Sequence, residues 1–324
     1  MKDYILRTIK RKKKNSYSYE FFNSKHKKIS QNTADKHMKG LYIPPAYDNV
    51  KININKNDKI LAIGYDQKNR AQYIYNKKFT KKRENRKFKH MIHFGESYRK
   101  IMNQIKRDIY SEGDNKNKQI AMALMLVINC GIRIGSEKYK RENNSYGATT
   151  LESRHVKINN DMIEVDFIGK KGVINKGKIK SKKLSKNMKM KKRTINKNEP
   201  IFTYRMGNKW YKLKSSDVNL YLKKFGNFTS KNFRTWDANL IFITELLKTE
   251  KDVTETKRKH IINETLKKVA EKLNNTTSVC KHNYIDPFIR ELYLNNPSRF
   301  WISFKGGHSK EEISEKYIEL LRNN

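Results

Sequence analysis

The chain has 324 residues, and its 73 Lys and Arg against 32 Asp and Glu give a formal net charge of +41. The positive charges of such a chain repel one another unless a polyanion binds to them. Nucleic acid is therefore the first candidate partner, and an acidic membrane surface is the second. The hydrophobic fraction of 36% is enough to build a core in one large or two smaller domains. The Lys, Asn and Ile bias also fits an AT-rich genome, but codon bias does not explain so few acidic residues.

Several kinds of protein and site are excluded. The two cysteines, Cys130 and Cys280, have neither metal-ligand spacing nor the number that a disulfide framework needs, which favours a reducing, intracellular compartment. The lysine-rich N-terminus lacks the apolar segment of a signal peptide. The longest apolar run, residues 120–130, is too short to cross a membrane and predicts a buried helix.

The first 87 residues predict a small, mostly β domain. Residues 1–40 are basic and polar with scattered aromatic side chains, and they predict no definite element. Short runs of β-forming residues predict strands at 50–54, 59–65 and 70–75. The almost entirely charged segment 77–89 then predicts a hinge.

Residues 88–324 predict a larger, mainly α-helical domain with one small β-sheet, so the fold class is α+β. From about residue 90 the apolar residues recur at helical spacing, and the run at 119–130 is apolar almost all round, as in a central core helix. Residues 175–193 are rich in lysine and predict a solvated or DNA-facing ribbon. The other predicted elements are strands at 155–158 and 162–168, helices at 215–225, 236–247 and 262–273, and a last helix with a capping box at Ser309 and Glu312.

Two arginines stand in unusually apolar contexts. Arg133 lies between isoleucines and glycines, and a guanidinium that is buried there needs an anionic partner. The alternative is a structural salt bridge with Glu137 or Glu142. Arg234 is flanked by aromatic residues, which also indicates a position near the core.

Lys170 and Tyr284 are less distinctive when each is considered alone. Lys170 lies in a turn after an apolar strand, where a lysine usually faces solvent. Tyr284 is one of 18 tyrosines, most of which are expected to be packing residues. It follows a helix of apolar periodicity and precedes Pro287.

Taken together, these contexts resemble the active-site blocks of type IB DNA topoisomerases, above all their compact poxviral and bacterial branch. The matches follow the order of the family from about residue 17 to 295. They comprise residues 131–139 and 144–151 for the first arginine block, 167–170 for the lysine hairpin, 215–218 and 231–236 for the second arginine block, 275–287 for the nucleophile block, and 43–46 and 64–75 for the DNA-cap domain.

The resemblance implies a tyrosine recombinase/topoisomerase IB-like fold and a role for each matching residue. Tyr284 would attack a backbone phosphorus and form a 3′-phosphotyrosyl link. Arg133 and Arg234 would stabilise the charge on the non-bridging oxygens, and Lys170 would protonate the departing 5′ oxygen. Such a reaction needs no ATP. No cofactor is expected, because the sequence has no P-loop, no HExxH motif and no carboxylate cluster with Mg²⁺ spacing.

Asn275 departs from the best-known family pattern. Many members carry histidine nine residues before the nucleophile, where this chain has Asn275. An amide NH₂ also donates to a phosphate oxygen, but it cannot become cationic. His282 is near Tyr284 in sequence, but its offset is wrong for that role. The alternative is that Asn275 only caps a loop.

Double-stranded DNA is the predicted partner, clamped between the two domains by a monomer, with no membrane association. The expected location is a virion or host cytoplasm for a viral source, or the nucleoid for a bacterial one. Two alternatives are a tyrosine recombinase, which typically has His-x-x-Arg where this chain has Lys231 and Arg234, and a non-catalytic DNA-packaging protein. The predicted DNA contacts are Arg70, Tyr73, Tyr75, Tyr139 and Lys231.

Overall fold

The computed structural model describes residues 1–13 and 16–323, and at residues 81–85 it describes the backbone alone. The chain divides into two compact units, Met1–Phe88 and Lys89–Asn324. It passes from one to the other within a long helix, α2 (Lys77–Tyr110). The segment predicted as a hinge is therefore helical, and its role as a hinge stays a prediction.

The first unit is built on one antiparallel sheet with the strand order β3-β2-β1-β4-β5-β6. Its core contains Ile5, Phe21, Val50 and Ile52, together with Ala34 of the single short helix. The three strands predicted between residues 50 and 75 are confirmed as β4, β5 and β6. The elements are β1 (Tyr4–Lys13), β2 (Ser16–Phe22), β3 (Lys28–Ile29), α1 (Gln31–Met38), β4 (Asp48–Asn53), β5 (Ile60–Tyr65) and β6 (Ala71–Tyr75).

The sequence did not predict β1 and β2, because the buried face of β1 includes a cation. The buried side chains of β1 are Ile5 and Arg7, two residues apart. Arg7 donates hydrogen bonds to the carbonyls of Pro44 (3.1 Å) and Tyr47 (2.9 Å). The remainder of the strand is basic and largely exposed. The period-two pattern of hydrophobic residues is therefore too weak to read.

The second unit is mainly helical and carries a three-stranded antiparallel sheet, β7-β8-β9, and a separate hairpin, β10-β11. The predicted β7, β8, α3, α6, α7, α8 and α12 are confirmed. The elements after α2 are α3 (Lys116–Cys130), α4 (Glu137–Asn143), β7 (Val156–Asn159), β8 (Met162–Ile168), β9 (Ile174–Lys180), α5 (Lys182–Lys192), β10 (Thr203–Met206), β11 (Lys209–Lys212), α6 (Ser215–Lys223), α7 (Ser230–Leu246), α8 (Glu255–Lys272), α9 (Thr277–Asn283), α10 (Pro287–Asn295), α11 (Pro297–Ser303) and α12 (Lys310–Arg322).

Aromatic packing fixes α7 in the second unit. Phe94 lies edge-on to Phe233 with ring centroids 5.0 Å apart, and Trp236 packs against both Phe94 and Tyr317. Gly95 permits this approach, because a Cβ there would lie 2.4 Å from the Trp236 ring. The helix that carries Arg234 is thus held from two sides by large buried rings.

The prediction of a ribbon over residues 175–193 is wrong for its second half. Helix α5 occupies that half, with Leu184 and Met188 buried at the spacing of one helical turn. Lys191 is buried as well, and its Nζ donates to Asp114 at 2.9 Å. Because most other residues of α5 are lysines, the helical spacing of its few apolar residues is hard to recognise in the sequence. Within the described part of the chain, no helix combines the length and the apolar character needed to cross a membrane.

Candidate active site

Arg234 is a buried cation with unused donors. It lies on α7 between the packed rings of Phe233 and Trp236 and is 4% exposed. Its Nη2 donates to the carbonyl of Leu273 at 2.9 Å, at the end of α8. Its Nε and Nη1 are buried and have no acceptor among the described residues. Unpaired buried donors are costly, so they indicate a site that a ligand completes.

Arg133 reaches the same region from the loop after α3. Gly131 ends that helix in the left-handed region (φ 63°), and a Cβ there would lie 2.2 Å from the carbonyl oxygen of Lys272. The ends of α3 and α8 are therefore in close contact. Arg133 Nη2 donates to Asn275 Oδ1 at 2.5 Å, across 142 residues of sequence.

The alternative of a structural salt bridge for Arg133 is wrong. No ion pair among the described residues joins Arg133 to Glu137 or Glu142, and Glu142 instead lies 4.0 Å from Lys138. The partner of Arg133 in the protein is a neutral amide. Its guanidinium charge is therefore left without a carboxylate, as an anion-binding site requires.

Asn275 does more than cap a loop. Its backbone N–H donates to the carbonyl of Ala270 at 2.9 Å, just after Asn274 has taken a left-handed conformation (φ 48°). The side-chain oxygen accepts from Arg133, and Nδ2 is buried without an acceptor among the described residues. Asn275 therefore orients one arginine and retains one donor of its own.

Tyr284 lies at the C-terminal end of α9 and is 6% exposed. Arg234 packs against it, with Cζ 5.4 Å from the ring centroid. Burial acts to raise the pKa of Tyr284, but the positive charges of Arg234, Arg133 and Lys231 outweigh it, and the pKa is lowered from 10.0. The site thus favours the phenolate, the nucleophilic form of this side chain.

Arg234 also affects the pKa of Arg133. Burial and the charge of Arg234 both lower the pKa of Arg133, which the Tyr284 phenolate opposes. Nearby, burial raises the pKa of the Cys280 thiol to about 11, although both arginines act to lower it. Cys280 therefore stays protonated at neutral pH.

Sequence reasoning missed Asn239, which holds the backbone of Tyr284. Its Nδ2 donates to the carbonyl of Tyr284 at 2.9 Å, and its Oδ1 accepts from the N–H of Asp286 at 2.8 Å. Asn239 is fully buried on α7, the helix that carries Arg234. An asparagine within an apolar helix must find partners, and that was the available signal.

Lys170 makes no described contact with Arg133, Arg234, Asn275 or Tyr284. It is exposed in a 3₁₀ turn after β8, and its Nζ lies 5.7 Å from the ring centroid of Tyr139, on α4. No described contact joins it to Tyr284. The turn is tied to the Arg133 loop through the backbone of residues 146–148, because Tyr146 N donates to the Ile168 carbonyl and Ala148 N donates to the Arg133 carbonyl, each at 2.9 Å.

The predicted DNA-contact residues are exposed or partly exposed on the units that carry them. Tyr73 and Tyr75 stack on one face of β6, with ring centroids 6.2 Å apart. Arg70 is paired with Asp66 at 2.7 Å, and its hydrogen bond lowers the pKa of that carboxyl to about 2. Lys231 is exposed in the first turn of α7. The part of the chain that the structure describes has no group of three or more His, Cys, Asp or Glu suited to a metal ion.

Comparison with known proteins agrees with this geometry. Residues 76–291 match the family model for the eukaryotic DNA topoisomerase I catalytic core, and residues 18–66 match that for the bacterial DNA topoisomerase IB N-terminal domain. The chain is 36% identical to DNA topoisomerase 1B of Acanthamoeba polyphaga mimivirus over 80% of each chain. It is also similar to DNA topoisomerase I of Monkeypox virus (28%) and DNA topoisomerase 1B of Vaccinia virus strain Copenhagen (27%), each over 72% of both chains.

These matches cover both units and favour a topoisomerase over a recombinase or a packaging protein. They include the stretches that carry Arg133, Lys170, Arg234 and Tyr284. The chain therefore belongs to the type IB DNA topoisomerase family, in its viral branch.

Proposed function

We propose that Tyr284 is the nucleophile with which this topoisomerase cuts and rejoins one strand of DNA. The Tyr284 oxygen loses its proton to solvent and bonds to a backbone phosphorus, while the bond from phosphorus to the 5′ oxygen breaks. The products are a 3′-phosphotyrosyl link and a 5′-hydroxyl, and religation reverses the step. Because one ester replaces another, resealing needs no ATP.

The observation that carries the proposal is the set of unpaired donors around Tyr284. Arg234 Nε and Nη1 and Asn275 Nδ2 are buried without acceptors among the described residues, beside a phenol of lowered pKa. Guanidinium groups bind phosphate oxygens in a charge-assisted, often bidentate way. Arg133 and Arg234 would hold the non-bridging oxygens and stabilise the pentacoordinate transition state, in which their charge is most valuable. No obligatory metal is needed for that stabilisation.

Lys170 is proposed as the general acid. An exposed ammonium on a turn can follow the 5′ oxygen and donate its proton as that oxygen leaves. Asn275 would both align Arg133 and donate through Nδ2 to the phosphate, the work of histidine in many relatives. Lys231, which contributes to the lowered pKa of Tyr284, would contact the phosphate region.

The first unit is proposed to grip the duplex as a clamp, with Arg70, Tyr73 and Tyr75 at its contact surface and Tyr139 contributing from the second unit. To bind a phosphate, Arg70 would have to exchange its ion pair with Asp66 for one with the phosphate. A monomer suffices for the mechanism, because every proposed catalytic residue comes from one chain. For a viral enzyme, the virion or the host cytoplasm is the expected place of action.

Relaxation of supercoiled plasmid in EDTA without ATP tests the proposal. The protein is expected to relax both supercoil signs, and Tyr284→Phe to retain DNA binding and lose all relaxation, because phenylalanine has no attacking oxygen. Denaturing electrophoresis of the DNA should show a covalent adduct with the native protein only. Relaxation by Tyr284→Phe would overturn the assignment of the nucleophile.

A further inference from the structure

Helix α4 carries Tyr139, yet it has no apolar anchor. None of its seven residues is buried, and the side chain of Ser136 makes no capping hydrogen bond at its start. A helix this short is not stable without tertiary contacts. Some polar contact must therefore hold α4, and with it the Tyr139 ring that lies 5.7 Å from Lys170 Nζ.

That contact is an ion pair with a buried carboxylate. Lys140 Nζ lies 2.8 Å from Glu152 Oε1, and the Glu152 side chain is only 6% exposed. Arg154 Nε donates to the other oxygen at 2.8 Å. Burial acts to raise the pKa of Glu152, but its hydrogen bonds with Lys140 and Arg154 outweigh it and the pKa is lowered. The carboxylate is thus charged, and both of its oxygens are used.

The residues around the Lys140–Glu152 ion pair hold it in one arrangement. Tyr146 packs beside it, with its ring centroid 5.5 Å from Lys140 Nζ and its hydroxyl accepting from Arg154 Nη2 at 3.1 Å. Tyr146 N in turn donates to the carbonyl of Ile168, two residues before Lys170. The carboxylate therefore ties α4 to the strand that ends at the lysine turn.

We infer that Glu152 is a positioning residue for Lys170, acting through Lys140 and Tyr139. By fixing α4 it holds the Tyr139 ring beside the Lys170 ammonium before DNA is bound, so the general acid is aligned in advance. The inference rests on the proposed role of Lys170 and adds how this chain places it. Glu152 touches neither DNA nor the reacting atoms.

Single-turnover cleavage of two duplexes tests the inference, one with the ordinary 5′ oxygen at the scissile phosphate and one with 5′ sulfur. Sulfur leaves without protonation, so a defect in general-acid catalysis disappears with it. Glu152→Gln and Lys140→Leu are each expected to slow cleavage of the oxygen substrate about tenfold, a fraction of what a general acid contributes. Both should cleave the sulfur substrate at the native rate.

Three further variants make the result specific. Glu142→Gln, on the same helix but in an exposed pair with Lys138, should leave both rates unchanged. Lys140→Leu should add little to the defect of Tyr139→Leu, because the two act in one path. Lys170→Ala, measured alongside, should show a larger defect that sulfur also removes.

The outcomes separate the inference from the proposed function. Equal slowing on both substrates, or no slowing in the folded Lys140→Leu protein, would overturn the positioning role while Lys170→Ala is still rescued. Failure of sulfur to rescue Lys170→Ala would overturn the general-acid role, and the inference with it. Since Lys140 lies at the surface end of the pair, its variant is expected to fold even if Glu152→Gln does not.

Discussion

At the scale of single residues, the site is defined by two cations that have no carboxylate partner among the described residues. Arg133 is bonded to an amide and Arg234 to a backbone carbonyl, so both retain their full charge for a phosphate. The sequence indicated both arginines through their apolar contexts. It could not indicate that Asn275 links to Arg133, because that contact joins residues 142 positions apart.

The lowered pKa of Tyr284 gives the first prediction. Its phenolate should form below the ordinary pKa of about 10. Absorbance at 295 nm follows phenolate formation, so the native protein and Tyr284→Phe are both titrated at that wavelength. The difference between the two curves reports Tyr284 and should have its midpoint below about 10. Lys231→Ala removes one stabilising charge and should move that midpoint upward. The shift favours the folded state above the unfolded pKa, and this contribution is lost as the pH falls through the folded pKa. A midpoint at or above 10 would contradict the electrostatic argument.

Asn275→Asp separates the two functions of this amide. The carboxylate still accepts from Arg133, but it cannot donate to phosphate and it carries a repelling charge. Cleavage should slow on the order of 10²-fold, as when one donor to a transition-state oxyanion is removed. Asn274→Asp adds the same charge one residue earlier and serves as the control in a single-turnover assay. Equal rates for the native protein and Asn275→Asp would show that Asn275 donates nothing.

At the scale of elements, helices with a clear apolar period or a cap were predictable, and most short helices without one were not. Helices α3, α7, α8 and α12 each show apolar residues at helical spacing or a capping box, which local sequence makes visible. Helices α9, α10 and α11 have seven to nine residues, too few for a period to appear. Helix α9 nevertheless leads directly into Tyr284, which is its C-cap residue. The proposed catalytic residues could be found from sequence blocks, but the elements that orient them required the fold.

Helix α7 serves two functions, because it carries Arg234 and anchors the backbone of Tyr284 through Asn239. Asn239→Ala should lower the free energy of unfolding by about 1–3 kcal/mol, the cost of leaving buried partners unsatisfied. It should also slow cleavage, since the tyrosine backbone is released. Asn187→Ala removes a comparable side chain–backbone bond, to Ile109, and should affect stability alone. Urea unfolding and single-turnover cleavage measure the two effects, and an unchanged cleavage rate in Asn239→Ala would exclude the positioning role.

At the scale of the whole molecule, the charge of +41 far exceeds the three positive charges of the proposed catalytic residues Arg133, Lys170 and Arg234. Much of it lies on exposed lysines, including Lys176, Lys178 and Lys180 of β9. Such a surface binds DNA through many phosphate contacts and displaces counterions from it. The first unit illustrates a limit of the sequence at this scale, because the basic residues of β1 predicted no definite strand.

Binding to duplex DNA should therefore weaken steeply with salt. Each phosphate contact contributes close to one unit to the slope of log affinity against log salt concentration, so Lys231→Ala should reduce the slope by about one. Glu142→Gln should not reduce it, because it removes no positive charge. Fluorescence anisotropy with a labelled duplex at several salt concentrations provides the measurement. A flat salt dependence would contradict the electrostatic account of binding.

The buried thiol beside the nucleophile has a consequence for chemical selectivity. Thiols are ordinarily more acidic than phenols, with values of 9.0 and 10.0 for the free side chains. Here the order is reversed, since the pKa of Cys280 is about 11 and that of Tyr284 lies below 10.0. The sulfur of Cys280, one helical turn before Tyr284, is thereby kept protonated and unreactive. In the proposed mechanism the broken strand is therefore held by an oxygen ester, the same class of bond that religation must restore.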